Sequence, residues 1–177
     1  MKFRLSSLAL AAGLLATSLV SASATAPTIP SEWISSGNFE EIEALLKECP
    51  GALVKPLIFS ADWDSTMLRT VCPYGLKPIQ VAAANAQTNN RTDIVQFLID
   101  HGATLTAEEK TLLLMKIQAS LDAMTDNIRH MQGQLDTCPG MEAEITVVQD
   151  RVTNLAAVRQ LIANRLPIER VSRSAWA

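Results

Sequence analysis

Aromatic side chains are scarce in this 177-residue chain: four Phe, three Trp and one Tyr, or 5% of the residues. A core built on stacked rings is excluded, so packing must rest on aliphatic and small side chains. Three cysteines are too few for a disulfide-dense scaffold. There are only two histidines, and no H-E-x-x-H, C-x-x-C, G-x-S-x-G or glycine-rich phosphate loop is present. No catalytic, cofactor-binding or metal-ligating residue is therefore assigned. Basic charge is lacking too. Lys and Arg number 15 against 18 acids, a formal charge of -3, which argues against a dedicated nucleic-acid binder.

What the chain does have is apolar residues, 48% of the total, with 19% charged. That composition excludes general disorder. The mean hydropathy of +0.15 hints at a membrane protein, but part of it comes from the first two dozen residues. Lys2 and Arg4 precede an uncharged, Leu- and Ala-rich stretch from Leu5 to Val20. Small residues follow, with Ala22 and Ala24 placed for cleavage after Ala24. This is the pattern of a secretory signal peptide over residues 1–24. The apolar stretch is shorter than the roughly 20 residues a spanning helix needs. Cleavage would remove two bases and no acid, moving the formal charge from -3 to -5. No second long apolar run occurs, so no membrane span is expected in the mature chain. It is read as periplasmic or secreted, and the Ala-rich signal looks bacterial.

The mature chain reads as all-α. Helices are expected over Asn38–Lys47, with Asn38 as cap, over Lys77–Asn85 with Pro78 in its first turn, and over Thr92–His101 with Gly102 as stop. Residues 52–73 read as a long loop, and Gln87–Arg91 as a polar turn. From Thr106 the pattern changes. Thr106 and Glu109 form a capping box. Leu114, Ile117, Leu121, Met124, Ile128, Met131 and Leu135 follow at alternating spacings of three and four. Thr137-Cys138-Pro139-Gly140 breaks the run, and Met141, Ile145, Val148, Val152 and Leu155 resume it, with Val158 and Ile162 continuing on one side. Two such helices joined by a tight turn predict an antiparallel hairpin over residues 106–166, each arm roughly 40 Å long. Residues 167–177 form a tail with Arg170, Arg173 and Trp176, read as a solvated terminus.

Gly75-Leu76-Lys77-Pro78-Ile79-Gln80-Val81-Ala82-Ala83 resembles the opening of an ankyrin repeat, G-x-T-P-L-H-x-A-A. Asp93-Ile94-Val95-Gln96-Phe97-Leu98-Ile99-Asp100-His101-Gly102-Ala103 resembles its second half. Ser36-Gly37-Asn38-Phe39-Glu40-Glu41-Ile42-Glu43-Ala44-Leu45-Leu46 is similar to the same second half without a clear first half. The resemblance covers about residues 31–107, and the repeat region is assigned to 25–105. Lys77 and Gln80 depart from the family's Thr and His, which tie adjacent turns together. Two repeats are too few to bury a solenoid core, so the open side of the second must be covered. Leu112, Leu113 and Leu114 arrive where a third repeat would begin, and the hairpin is expected to start as a cap and then project.

The resemblance implies a protein–protein interaction module, binding through loop tips and inner helices. The candidate contact residues are Asp62, Trp63, Asp64, Lys77, Gln80, Asn89 and Asn90. The partner is expected to be another protein, not nucleic acid. A self-assembling or scaffolding role, with homo-oligomers formed through the 106–166 hairpin, is the alternative, and a hydrolase a third. Cys49 and Cys72 flank the long loop. A bridge between them would close it and add roughly 3 kcal/mol by loop-entropy arithmetic, two buried thiols being the other state. Cys138 is left over at the hairpin tip, free or paired between chains. His101, at a helix end beside Gly102, is read as structural, and His130, flanking the seam, as solvated.

Overall fold

The computed structural model describes residues 27–57, 75–89, 91–135, 138 and 140–169. The fold is all-α. Six helices occur among the described residues: α1 Ser31–Ser36, α2 Phe39–Glu48, α3 Pro78–Asn89, α4 Thr92–Asp100, α5 Ala107–Gly133 and α6 Met141–Arg165. A 3-10 turn, Pro50–Leu53, follows α2. The expected signal peptide over residues 1–24 lies outside the described residues.

α3 is the centre of the packing, with α1, α4 and α6 all laid against it. Its sequence explains why. Pro78 opens the helix with φ already set for the first turn. Ile79, Val81, Ala82, Ala83 and Ala86 are then fully buried, on more than one face. A helix apolar nearly all round is stable only inside, and its alanines let neighbouring backbones come close. The helix runs to Asn89, so the turn expected from Gln87 is shorter than the polar composition implied.

α1 went unread in the sequence because Pro30 precedes it and it is only six residues long. Ile34 anchors it in the core. It joins α3 through Asn85, whose Nδ2 donates to Ser35 Oγ at 2.8 Å, while Ser35 Oγ donates to the Ser31 carbonyl. α2 begins at Phe39 with Asn38 in the cap position, but Asn38 does not cap with its side chain. Its Oδ1 instead accepts from Ser36 Oγ at 2.9 Å, an alternative partner that the sharp corner at Gly37 supplies. Ile42 and Leu46 are buried as the periodicity requires, with Phe39 and Leu45 packed beside them.

α4 buries Ile94, Val95, Leu98 and Ile99. It stops as expected. Gly102 takes φ +91, Gly102 N–H donates to Ile99 O, and Ala103 N–H reaches back to Leu98 O. These two bonds form a Schellman motif, which satisfies carbonyls that the helix end would orphan. His101 Nδ1–H donates to Phe97 O at 2.8 Å and its ring lies 4.0 Å from that of Phe97. The histidine therefore serves the helix end, in keeping with the structural reading.

Leu105 leads into α5, whose N-terminus carries both bonds of the capping box: Glu109 N–H to Thr106 Oγ1 at 3.2 Å, and Thr106 N–H to Glu109 Oε2 at 2.8 Å. α5 and α6 pack lengthwise along the expected seam. Lys110, in the first turn of α5, donates to the carbonyls of Ala163 and Leu166 at the end of α6. The arms are therefore antiparallel, and a cation sits on the carbonyl end of α6, where the helix dipole favours it. Beyond α6 the chain returns to the entrance of α5. Leu105 N–H donates to Pro167 O, and Glu169 N–H to Leu105 O, as a short parallel bridge.

The open side of the α3–α4 pair is covered, but not by the segment expected. Leu113 is buried, whereas Leu112 and Met115 are exposed. The cover is mainly α6, which packs on both α3 and α4 through Leu155, Val158 and Ile162. The first arm contributes Leu113 and Leu114 to this packing, and the returning arm lies across both helices.

Candidate interaction surface

The sequence-based contact residues divide into two groups. Asp62, Trp63, Asp64 and Asn90 lie outside the described residues, and Asn89 is described only as the last residue of α3. Lys77 and Gln80, read as candidate contact residues, are both buried. Gln80 Oε1 accepts from Lys77 N–H at 2.8 Å, tying the entrance of α3 to its first turn. Lys77 is 8% exposed, and its Nζ lies 2.8 Å from Glu109 Oε2 and 3.2 Å from Glu169 Oε2. One ammonium thus fastens the entrance of α3 to the start of α5 and to the segment after α6. Burial works against the Lys77 charge, but hydrogen bonds to Glu109 and Glu169 outweigh it and hold the ammonium above the ordinary lysine range. Burial likewise pushes the Glu109 carboxyl up, yet bonds from Lys77 and Thr106 win and hold it below the usual range.

A second polar fastening was missed in the sequence. Arg91 holds Asp93 with two parallel bonds of 3.0 Å, donates to the Ser36 carbonyl at 2.8 Å, and places its guanidinium 5.7 Å from the Phe39 ring centre. Its hydrogen bonds keep the Asp93 carboxyl below the ordinary range against the effect of burial. A side chain on Gly37 would strike this guanidinium, and Gly37 also has φ +71. The only sequence signal was the Arg-x-Asp spacing before α4, which does not name a target 55 residues earlier.

The inner helix α3 is not open to a partner, because α6 lies on it. The distal half of the hairpin is different. The core cluster takes Leu113, Ile117 and Leu121 from α5 and Leu155, Val158 and Ile162 from α6, with Met124 and Val152 packed against it. Further out, Met131 and Ile145 are buried but lie outside that cluster. On one side of this stalk lies a groove of ≈ 370 Å³, lined by Asn127, Met131, Ala143, Glu144, Val147 and Val148. Val147 is 50% exposed. Nearer its C-terminal end, α6 buries Val158 and Ile162 against α3 and α4, while the residues lining the groove all come from α5 and α6.

A second groove of ≈ 370 Å³ lies on the base half of α6, lined by Ala157, Gln160, Leu161, Asn164 and Arg165. A cleft of ≈ 190 Å³ between α2, the 3-10 turn and His101 is lined by Glu43, Leu46, Lys47, Pro50 and Leu53. Glu43 and Lys47 pair there at 3.0 Å as an ordinary helix-surface bridge. His130 is far along α5 and exposed, with Nε2 3.1 Å from Gln134 Nε2, as its solvated reading implies. Among the described residues no cluster of His, Cys, Asp and Glu could hold a metal ion, and no helix is long and apolar enough to cross a membrane. Cys49 is a half-buried free thiol and Cys138 an exposed one. No disulfide is found, so the expected Cys49–Cys72 bridge gains no support, and Cys72 itself lies outside the described residues.

Comparison with known proteins returns no matching family, no similar curated protein and no similar solved structure.

Proposed function

We propose that this chain is an exported protein–protein interaction module, in which an ankyrin-like helical layer anchors a hairpin and the distal half of the hairpin meets the partner. The observation that carries this reading is the apolar groove at Met131, Ala143, Val147 and Val148, beyond the reach of the core. A contiguous apolar patch rimmed by polar residues, here Asn127 and Glu144, is the kind of surface that marks an interaction site. Three features support the ankyrin-like reading of the layer: Pro78 opening α3, the Gln80 bond to Lys77, and the Schellman stop at Gly102. Export rests on residues 1–24. N-terminal sequencing of protein recovered from the extracytoplasmic fraction should begin at Thr25, and an intact Met1 would contradict it.

The binding surface is tested by using the exported protein as bait in its native extracytoplasmic fraction. Val147→Glu is expected to lose the captured protein, while Leu112→Glu, an exposed change on another face, retains it. Trp63→Ala is the third bait. Capture lost with Trp63→Ala and kept with Val147→Glu would move the site from the hairpin to the loop.

A further inference from the structure

α6 carries a strip that reads Glu144, Val147, Val148, Arg151. These spacings of three and four put all four residues on one face of the helix. The strip is symmetric about the Val147–Val148 peptide bond: the two valines are at its middle, and an acid and a base stand three residues out on either side. Glu144 and Arg151 are both exposed. Neither forms an ion pair among the described residues.

We propose that this face is the interface for a second copy of the same chain, docked antiparallel about a twofold axis through the Val147–Val148 bond. A twofold interface needs a surface complementary to itself, in which residue i meets j and j meets i. Antiparallel pairing of α6 with its copy satisfies this condition. Glu144 faces Arg151 of the partner subunit, and Arg151 faces Glu144 of the partner subunit. Val147 packs across the axis, with Val148 half-buried beside it at the edge of the seam and Met131 lining the groove below. Two hairpins joined in this way make a four-helix bundle, the usual way for a two-helix stalk to acquire a full core. A parallel arrangement would set Glu144 on Glu144 and Arg151 on Arg151, so the charges also select the orientation. This names the partner of the surface proposed above and rests on that reading.

The test is sedimentation of the full-length chain after export, with charge reversals on the strip. The wild-type protein is expected to be a concentration-dependent dimer. Glu144→Arg alone sets arginine against arginine at both ends of the interface, and Arg151→Glu sets glutamate against glutamate. Each should weaken the dimer about 10-fold or more. An equal mixture of the two single variants restores both opposite pairs, and so does the double variant Glu144→Arg/Arg151→Glu. Both should recover the wild-type dimer. All four residues lie on the helix surface, and an unchanged helical signal and melting temperature confirm that each variant is folded. A wild-type protein that stays monomeric at about 100 µM overturns the proposal, as does a mixture no tighter than its components. A monomer whose capture of another protein still depends on Val147 would leave the interaction-module reading standing and remove only the self-pairing.

Discussion

Lys77 stands where the repeat pattern has threonine, and the substitution changes what the position does. Its stem is buried at the entrance of α3, and its ammonium reaches Glu109 and Glu169. The pH dependence follows from the directions of the two shifts. Glu109 is held below its ordinary 4.5, so its share of stability is present above that value and is lost as the pH falls through the lower folded-state value. Lys77 is held above its ordinary 10.5, so its share is present below that value and is lost as the pH rises through the higher folded-state value. Urea unfolding of Glu109→Gln should therefore match wild type in strong acid and fall short of it at neutral pH. A constant gap at every pH would show that the ion pair is not the cause. Lys77→Met is expected to cost about 1–3 kcal/mol at neutral pH, because it strands carboxylates that are only partly solvated. The sequence showed that residue 77 departs from the pattern, but an acid 32 positions away and another 92 away could not be read as its partners. Arg91 was hidden for the same reason: its target, the Ser36 carbonyl, is a backbone atom with no sequence signature.

At the scale of elements, the signals that could be read were those with local physics. The capping box at Thr106 and Glu109 and the glycine stop at Gly102 depend on residues within one turn, and both formed as expected. Thr106→Ala should cost about 1 kcal/mol in thermal or urea unfolding. Gly102→Ala should cost a similar ~1 kcal/mol through its left-handed backbone alone, since no atom stands within 4 Å of the added methyl. A loss well above that would mean the stop also fixes the packing of α4. The heptad seam was legible for another reason, its length. Three-four spacing sustained from Leu114 to Leu135 and again from Met141 to Leu155 has few explanations besides a lengthwise helix pair. What remained hidden was α1, too short to show a period, and the side of the hairpin that turns to the repeats.

For the whole molecule, the hairpin has two halves with different duties. The base is a structural cover: Leu155, Val158 and Ile162 are fully buried against α3 and α4. Among the described residues, the distal half packs mainly arm against arm. Ile162→Ala should therefore cost about 2–5 kcal/mol and lower the melting of the whole protein. Ile128→Ala, half-buried on the stalk, should cost clearly less and leave the repeat layer intact. Equal losses would contradict the division. The scarcity of aromatics fits this plan, since α3 packs with alanine, valine and isoleucine at close range and the seam is aliphatic throughout. The groove at the far end of the hairpin and the burial of α3 are the observations on which the proposed stalk-borne surface rests.

Hydrogen exchange of the protein across a range of concentrations tests that proposal most directly. Amides of residues 127–131 and 143–151 are expected to gain protection as concentration rises, while those of α3 are already the slowest and do not change. Protection that instead rises in the repeat layer, or does not rise in the distal hairpin at any concentration or with any captured partner, would contradict a stalk-borne interaction surface.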